Sequence, residues 1–468
     1  MRHSVVTPGD GLAPLTAPAI VVGGHLAGCA TAGVPYASGV PKTRVDPSTQ
    51  SPDGAASASS MPRILVLDAN QRSTLAVVRS LGSRQLRVIT AAHTEPTLAG
   101  SSNCSAAFVR YADPAMEPAR FLDDVSRIVR RLDIDLVIPT TDLTTMILVA
   151  NSGCTGSALL AAPSSSSYER LTDKSELLRL CEQLGVATPA THVARCAAEA
   201  TRISRDLGYP LVLKPARSRY RRGNQIISTS VSVIRSAEQL RLYLSNAHWL
   251  GDIPCLVQRF VPGYGAGMFA LYDRDRPLAW FSHRRLREIP PSGGASVLSE
   301  STPIEPRMQA AASSLMSAVE WSGVAMLEFR VSEDGTPFLI EVNGRFWGSL
   351  QLAVDCGVDF PWLLYQLTTG IAPTSPPGTY LLGRRLRWLL GDFENLRIQA
   401  RRESANGRTR ASIVWEFLRS FGDCACKQEV FRWNDPKPGI REIQSWAGAI
   451  LRRKVWRRLP PLVGSGYR

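Results

Sequence analysis

Residues 325–348 read A-M-L-E-F-R-V-S-E-D-G-T-P-F-L-I-E-V-N-G-R-F-W-G. The run predicts two antiparallel strands, Val324–Val331 and Pro337–Val342, joined through Glu333-Asp334-Gly335, a turn signal. Side chains alternate faces along a strand, so Glu328 shares a face with Met326 and Arg330, opposite Leu327 and Phe329. Glu341 and Asn343, two apart, share a face of the second strand, and a hairpin can set Glu328 opposite Glu341. Two carboxylates and an amide oxygen on one sheet face, with no fixed cation among them, repel each other. A hard divalent cation removes that repulsion, and Mg²⁺ commonly takes one or two carboxylates together with substrate phosphates. The competing reading is a half-buried hairpin whose acids face water.

The 468 residues suffice for about three domains. A hydrophobic fraction of 44% and a mean hydropathy of −0.05 are those of a soluble globular protein. No stretch reaches about 18 uninterrupted apolar residues, so no membrane span is expected. The formal net charge is +14, but 371–468 alone holds 19 basic and 8 acidic residues. The rest of the chain is near neutral, which argues against a nucleic-acid binder throughout its length. The Arg and Trp of the tail keep oligonucleotide binding there as a rival reading. Nine cysteines, in no C-x-x-C spacing, suggest reduced thiols in a cytoplasmic protein and argue against zinc.

Residues 1–60 are rich in Gly, Ala, Ser, Pro and Thr and read as a disordered tail, with Met61 opening the first patterned segment. A strand at Arg63–Leu67, a helix at Ser73–Leu81 and a strand at Leu86–Thr90 make a β-α-β opening, hence a parallel sheet. A helix over Phe121–Leu132 and a strand over Asp135–Pro139 follow, ending at Thr140–Asp142, where a substrate contact or a helix cap is expected. Ser164–Ser167 reads as a linker, and Thr172 as the cap of a helix over Lys174–Leu184 that ends at Gly185. Tyr209–Lys214 and Cys255–Val261 read as strands, His283–Ser296 as a long polar loop, and Pro306–Glu320 and Phe360–Thr368 as helices. A break falls at Thr374–Pro377.

Between Met61 and Gly370 only two lysines occur, Lys174 and Lys214, although arginine is abundant. Where a guanidinium serves, this chain uses one. The two exceptions point to sites that need a compact point charge, and phosphate contact in a crowded pocket is such a task.

Taken together these residues resemble an ATP-grasp enzyme over about 61–370. The parts stand in family order: the β-α-β opening, D-K before a helix, Y-P-L-V-L-K, Q-R-F-V, then E…E-V-N-G-R. Within that superfamily the chain looks most like the carbamoyl-phosphate-synthase-related carboxylate–amine ligases, given R-R-L-R-E-I-P-P-S-G-G-A-S and the later R-W-L-L-G-D at Arg387–Asp392. The resemblance implies an α/β chain in three parts. An N-terminal parallel-sheet (pre-ATP-grasp) domain over 61–162 precedes a two-lobed α+β ATP-grasp domain over 163–370. A mainly helical, basic C-terminal region over 371–468 follows. It also implies roles. Lys174 and Lys214 would contact ATP phosphates, and Gln258, Arg259, Phe260 and Val261 would form the adenine hinge. Glu328, Glu341 and Asn343 would hold Mg²⁺ or Mn²⁺, and Arg345 with Lys214 would face the transferred phosphoryl group. Arg285, Arg287, Gly293 and Gly294 are assigned to the substrate carboxylate, because arginine can grip it bidentately. His283 is either a base toward the amine or a surface histidine. The glycine-rich loop usual after the second lysine is replaced by Arg217, Arg219, Arg221 and Arg222, which would meet the phosphates or face solvent.

The activity expected is ATP- and Mg²⁺-dependent joining of a small-molecule carboxylate to an amine through an acyl phosphate. The alternatives are a kinase-like enzyme that stops at the acyl phosphate and a non-catalytic ATP-binding protein. No membrane partner is expected, and a homo-oligomer is compatible with the sequence.

Overall fold

The run Arg63–Val66 is the central strand of a five-stranded parallel sheet. Its apolar side chains sort by parity: Ile64 and Val66 enter one core, Leu65 and Leu67 another on the opposite face. A strand covered on both faces reads as an unbroken apolar run, which is why no alternation shows there. Across the sheet the order is Ala107–Arg110, Arg87–Ala92, Arg63–Val66, Leu136–Ile138, Leu159–Leu160, each neighbouring pair parallel. Helices Arg72–Gly82 and Pro118–Leu132 lie in the crossovers such pairing requires. This computed structural model describes residues 61–291, 293–373, 380–401 and 409–456. The tail expected over 1–60 and the break expected at Thr374–Pro377 lie outside the described residues.

A four-stranded antiparallel sheet follows, in the order Ser232–Ile234, Leu211–Pro215, Cys255–Arg259, Thr191–Ala194. Parity again decides the faces. Leu211, Leu213, Cys255 and Val257 enter a core with Ala200 and Ile203 of helix Ala197–Leu207. Val212, Lys214 and Gln258 are left on the other face, where they line a large cavity.

The third sheet has seven strands, in the order Pro337–Asn343, Gly323–Val331, Tyr264–Asp273, Arg276–Ile289, Ala295–Ser301, Arg385–Arg387, Cys426–Gln428. All pairs are antiparallel except the last. The register of the decisive hairpin is the one expected, with Glu328 opposite Glu341 and Met326 opposite Asn343. Gly335 turns it at φ +83°, a left-handed conformation that glycine adopts without a Cβ penalty. Beyond it, helices Leu389–Arg401, Arg410–Arg419 and Lys437–Trp456 make the C-terminal region mainly helical.

Four local expectations are corrected. Ser164–Ser167 is no linker: Ser164 accepts from the Ser167 N–H and caps the helix Ser165–Thr172. Asp173, not Thr172, caps Lys174–Leu184, its Oδ1 accepting from Ser175 N at 3.0 Å and Glu176 N at 3.2 Å. Thr172 instead turns its hydroxyl back to the Tyr168 carbonyl at 2.8 Å. The stretch read as a polar loop after His283 is strand through Ile289 and again from Ala295, its arginines each pairing with an acid. The arginine-rich run 216–223 holds half of a small hairpin, Arg219–Arg222 against Gln225–Ser228.

Leu327, next to Glu328 and opposite Val342, is fully buried in the core beneath the hairpin. Leu327→Ala should cost about 2–5 kcal/mol, read as a lower denaturant midpoint at unchanged slope. An unchanged midpoint would contradict this packing.

Candidate functional site

The hairpin, the four-stranded sheet and the strand Arg276–Ile289 enclose a cavity of about 450 Å³. Its lining includes Lys214, Gln258, Arg285, Glu328, Glu341 and Arg345. Asn343 Nδ2 donates to Glu328 Oε1 and to Glu341 Oε1, each at 3.3 Å. The two carboxylates therefore converge on one point. A divalent cation would occupy that point, with the Asn343 amide turned to offer its oxygen. Among the described residues no three His, Cys, Asp or Glu gather as a metal cluster. Two carboxylates and one amide suit a hard ion that keeps other ligands for water and phosphate.

The acids are not alone, which corrects the expectation that no fixed cation stands among them. Lys174 Nζ sits 3.7 Å from Glu341 Oε2 and donates to Ser218 Oγ at 2.7 Å. Arg285 Nη2 is 2.6 Å from Glu328 Oε2, and its Nη1 reaches Glu288 at 3.2 Å. Burial works to raise both glutamate carboxyls, but the outcomes differ. Lys174 and Lys214 hold Glu341 well below the usual carboxylate range, whereas Glu328 is raised, its charge opposed by Glu341 despite Arg285. Lys214 is almost fully buried, its Nζ has no hydrogen-bond partner, and burial followed by the charge of Lys174 pulls it down to about 8. A buried ammonium without a partner is costly unless something anionic arrives.

Arg345 is gripped bidentately by Asp142, Nε to Oδ1 at 3.0 Å and Nη2 to Oδ2 at 2.9 Å. Its Nη2 also reaches Asn343 Oδ1 at 3.1 Å. Asp142 begins the helix after Thr140 and Thr141, so the Thr140–Asp142 stretch serves as cap and as anchor for Arg345. Gly344 fits between because a Cβ there would lie 2.6 Å from Trp321. At the hinge, Gln258 Nε2 donates to Thr191 Oγ1 at 2.8 Å, and Arg259 N–H donates to the Ala190 carbonyl at 2.8 Å. Phe260 N–H donates to the Pro210 carbonyl at 3.3 Å, and the Val261 carbonyl accepts from Arg330 Nε at 3.1 Å.

Of the residues assigned to a substrate carboxylate, Arg285, Gly293 and Gly294 line the cavity. A Cβ at Gly294 would lie 2.3 Å from the Ile289 carbonyl, so that approach requires glycine. Arg287 does not line it: β-bulges on either side of the residue turn it away, and its Nη2 pairs with Asp392 at 2.8 Å. His283 is not on the surface. It is fully buried, stacked on Phe269 at 4.7 Å, with Nε2 2.9 Å from Ser349 Oγ, and burial together with the charge of Arg285 pulls it down to about 3. It is a neutral core histidine, which fits no role as a base toward the amine. In the arginine hairpin, Arg217 pairs with Asp173 at 2.7 Å and Arg222 with Asp252 at 3.5 Å, while Arg219 and Arg217 face a smaller cavity beside Lys174. Sequence reading missed Glu288, Arg330 and Ser218. Glu288 lies in the stretch read as a loop, Arg330 was placed on the face of Glu328 but given no role, and Ser218 is brought in only by the turn before its hairpin.

A family model described as "ATP-grasp in the biosynthetic pathway with Ter operon" matches residues 284–389. The chain is similar to the carbamoyl phosphate synthase large chain of Deinococcus radiodurans, 23% identical over 237 residues, or 49% of this chain and 22% of that protein. It thus spans under a quarter of that relative's length. Among solved structures it is similar to biotin carboxylase of Campylobacter jejuni in its β-γ-ATP complex, with a TM-score of 0.55 and 15% identity over 69% of this chain and 74% of that one. It is also similar to the L-amino acid ligase of Bacillus licheniformis, with a TM-score of 0.51 and 16% identity over 69% of this chain and 78% of that one. At such identity the structural likenesses show the fold.

Lys214 yields a pH prediction. Its folded-state value of about 8 lies below the ~10.4 of an unfolded lysine, so between those values the unfolded chain binds more protons. Its burial penalty is fully present below pH ~8 and fades as pH rises toward ~10. Lys214→Met should therefore be more stable than the parent at pH 7, and the difference should shrink between pH 8 and 10 in chemical denaturation. A less stable variant at pH 7 would contradict it.

Proposed function

We propose that this chain, which carries the ATP-grasp fold and is related to the ATP-grasp carboxylate–amine ligases, uses ATP to join a carboxylate to an amine through an acyl phosphate. One observation carries the reading: Lys174 from a helix, Lys214 and Glu328 from two strands, Glu341 and Asn343 from a third, and Arg345 just beyond it gather in one cluster.

Lys174 and Lys214 would hold the phosphates of ATP. The nucleotide would supply the anion that the unpartnered Lys214 ammonium lacks. Gln258 keeps its amide oxygen for an amino N–H, since its Nε2 is bound to Thr191. The Phe260 carbonyl and the Val261 N–H are the hinge groups left for the adenine edge, and Arg259 contributes backbone to the same turn. Glu328, Glu341 and Asn343 would hold Mg²⁺ or Mn²⁺. The ion would neutralise charge on the β- and γ-phosphates. A substrate carboxylate oxygen attacks the γ-phosphorus, the bond to the bridging oxygen of ADP breaks, and an acyl phosphate forms. The amine nitrogen then bonds to the acyl carbon, phosphate leaves with the C–O electron pair, and the nitrogen sheds its extra protons. Positioning and charge neutralisation suffice, so no protein nucleophile is required. Arg345, locked by Asp142, would face the transferred group together with Lys214. Arg285 would exchange Glu328 for the substrate carboxylate once metal holds that glutamate, with Gly293 and Gly294 allowing close approach. Arg287 is withdrawn from that role by its pairing with Asp392.

We take residues 61–162, 163–370 and 371–468 as the working divisions of the chain. No described helix is long and apolar enough to cross a membrane, and the eight described cysteines are all free, in keeping with a cytoplasmic setting.

Glu341→Gln should abolish Mg²⁺-dependent ADP release while far-UV circular dichroism stays unchanged. Undiminished release would refute the metal assignment. Lys214→Ala should lose ATP binding in calorimetry, and retained affinity would count against the pocket. Product analysis with and without amine separates the ligase from a kinase-like enzyme, since only the ligase makes an amide.

A further inference from the structure

The arginine-rich hairpin, Arg219–Arg222 against Gln225–Ser228, pairs with no other described strand. Two strands alone are marginally stable in water, so its position comes from what it touches. Direct partners across an antiparallel pair share a face. Arg219, Arg221, Ile226 and Ser228 therefore lie on one side, Tyr220, Arg222, Gln225 and Ile227 on the other. On the second side Tyr220 Oη donates to Asp252 Oδ2 at 3.0 Å. On the first, Ile226 is buried with Tyr111 and Phe121 in a core of the N-terminal parallel sheet. Its N–H donates to the Ala115 carbonyl at 2.8 Å. Every other buried member of that core lies between Leu65 and Ala158. The hairpin is thus seated in the N-terminal sheet by one aliphatic side chain.

That seat fixes where Arg219 stands. It lines a cavity of about 110 Å³ whose wall also holds Met146, Lys174, Glu341 and Asn343. Met146 packs against the same core as Ile226, so seat and cavity adjoin. Glu341 lines the larger cavity too, so the acidic hairpin stands between the two. The other cations of this wall have carboxylate partners: Lys174 is 3.7 Å from Glu341, and Arg217 is 2.7 Å from Asp173. Asp142 is taken by Arg345, and Glu169 is exposed at the rim. Arg219 has no carboxylate within 4 Å among the described residues, and its guanidinium donates to the neutral Ser228 hydroxyl. Arg221 and Arg222 line neither cavity. A guanidinium with unused N–H groups is a forked donor suited to phosphate.

We propose that Arg219 binds the terminal phosphate of the nucleotide, and that Ile226 is its positioning residue, latching the hairpin into the N-terminal core so that the phosphate end of the site is closed. The inference rests on the nucleotide-binding part of the ligase reading.

The test uses the full chain, with calorimetry of a non-hydrolysable ATP analogue and of ADP, each with Mg²⁺. In Arg219→Met the affinity for the ATP analogue should fall fivefold or more, while that for ADP, which lacks the terminal phosphate, stays within twofold. Arg219→Lys should recover part of the loss. Ile226→Asp should show the same split between nucleotides, and trypsin should cut it at Arg219–Arg222 at least tenfold faster than the parent, with far-UV circular dichroism unchanged. If Ile226→Asp does not fold, Ile226→Ala carries the same assays. Unchanged affinity for the ATP analogue in Arg219→Met, or an equal loss for both nucleotides, overturns the phosphate contact. An unchanged cleavage rate in the Ile226 variant overturns the latch. A parent that binds both nucleotides yet releases no ADP with any acid–amine pair sinks the ligase reading alone, and the calorimetry still decides Arg219. A parent that binds neither nucleotide sinks both.

Discussion

Two carboxylates, Glu328 and Glu341, face each other across one pair of strands, and holding them there is the constraint on which the site depends. Isolated in a protein interior they would repel and be desolvated at considerable cost. The fold answers with cations brought from different directions. Lys174 comes from a helix N-terminus, Lys214 from the four-stranded sheet, Arg285 from the neighbouring strand of the large sheet. Arg345 completes the set and is itself fixed by Asp142, the first residue of the helix Asp142–Ala150. The result is a cluster in which the carboxylates are met by cations, while the buried Lys214 ammonium makes no hydrogen bond.

The same device ties the rest of the molecule together. Arg79 pairs with Asp435 at 2.9 Å, and Arg72 pairs with Glu429 while its guanidinium stacks 4.0 Å over Trp388. These contacts fasten the first helix of the N-terminal sheet to the C-terminal region. Arg387, almost fully buried, lies 3.4 Å from Asp392 and stacks on Phe421. The planar guanidinium suits such sites, since it binds carboxylates in a fork and lies flat on rings. That preference fits a stretch from Met61 to Gly370 that is rich in arginine and has lysine only at Lys174 and Lys214, beside the acidic hairpin.

Much of this was legible in the sequence. The hairpin and its turn could be read from strand alternation and the Asp-Gly pair, but strict pairing from the turn would set Glu328 opposite Ile340, and a register shift between Glu328 and Phe329 is what brings it opposite Glu341. The two lysines stood out because their rarity was itself a signal. The failures share a physical cause, since burial and long-range partners leave no local mark. His283 looked like a polar-loop residue because its neighbours are charged, yet it stacks in an aromatic core. Arg287 was assigned with Arg285 because arginine can grip a carboxylate, but the stretch is a strand, and β-bulges around Arg287 turn it to Asp392 instead. Asp142 as the anchor of Arg345 joins residues two hundred positions apart and had only a strand-end location to suggest it. Thr172 and Asp173 both fit a cap by type, and only the turn geometry chose between them.

The central claim is that Glu328, Glu341 and Asn343 form a divalent-metal site beside a nucleotide. The most direct measurement is a crystal structure with ADP and Mn²⁺, using the anomalous signal of manganese to locate the ion. The expected result is one peak at about 2.1 Å from oxygens of Glu328 and Glu341, with the diphosphate between it and Lys214. Manganese bound elsewhere, or ADP outside the cavity that Lys214 lines, would contradict it.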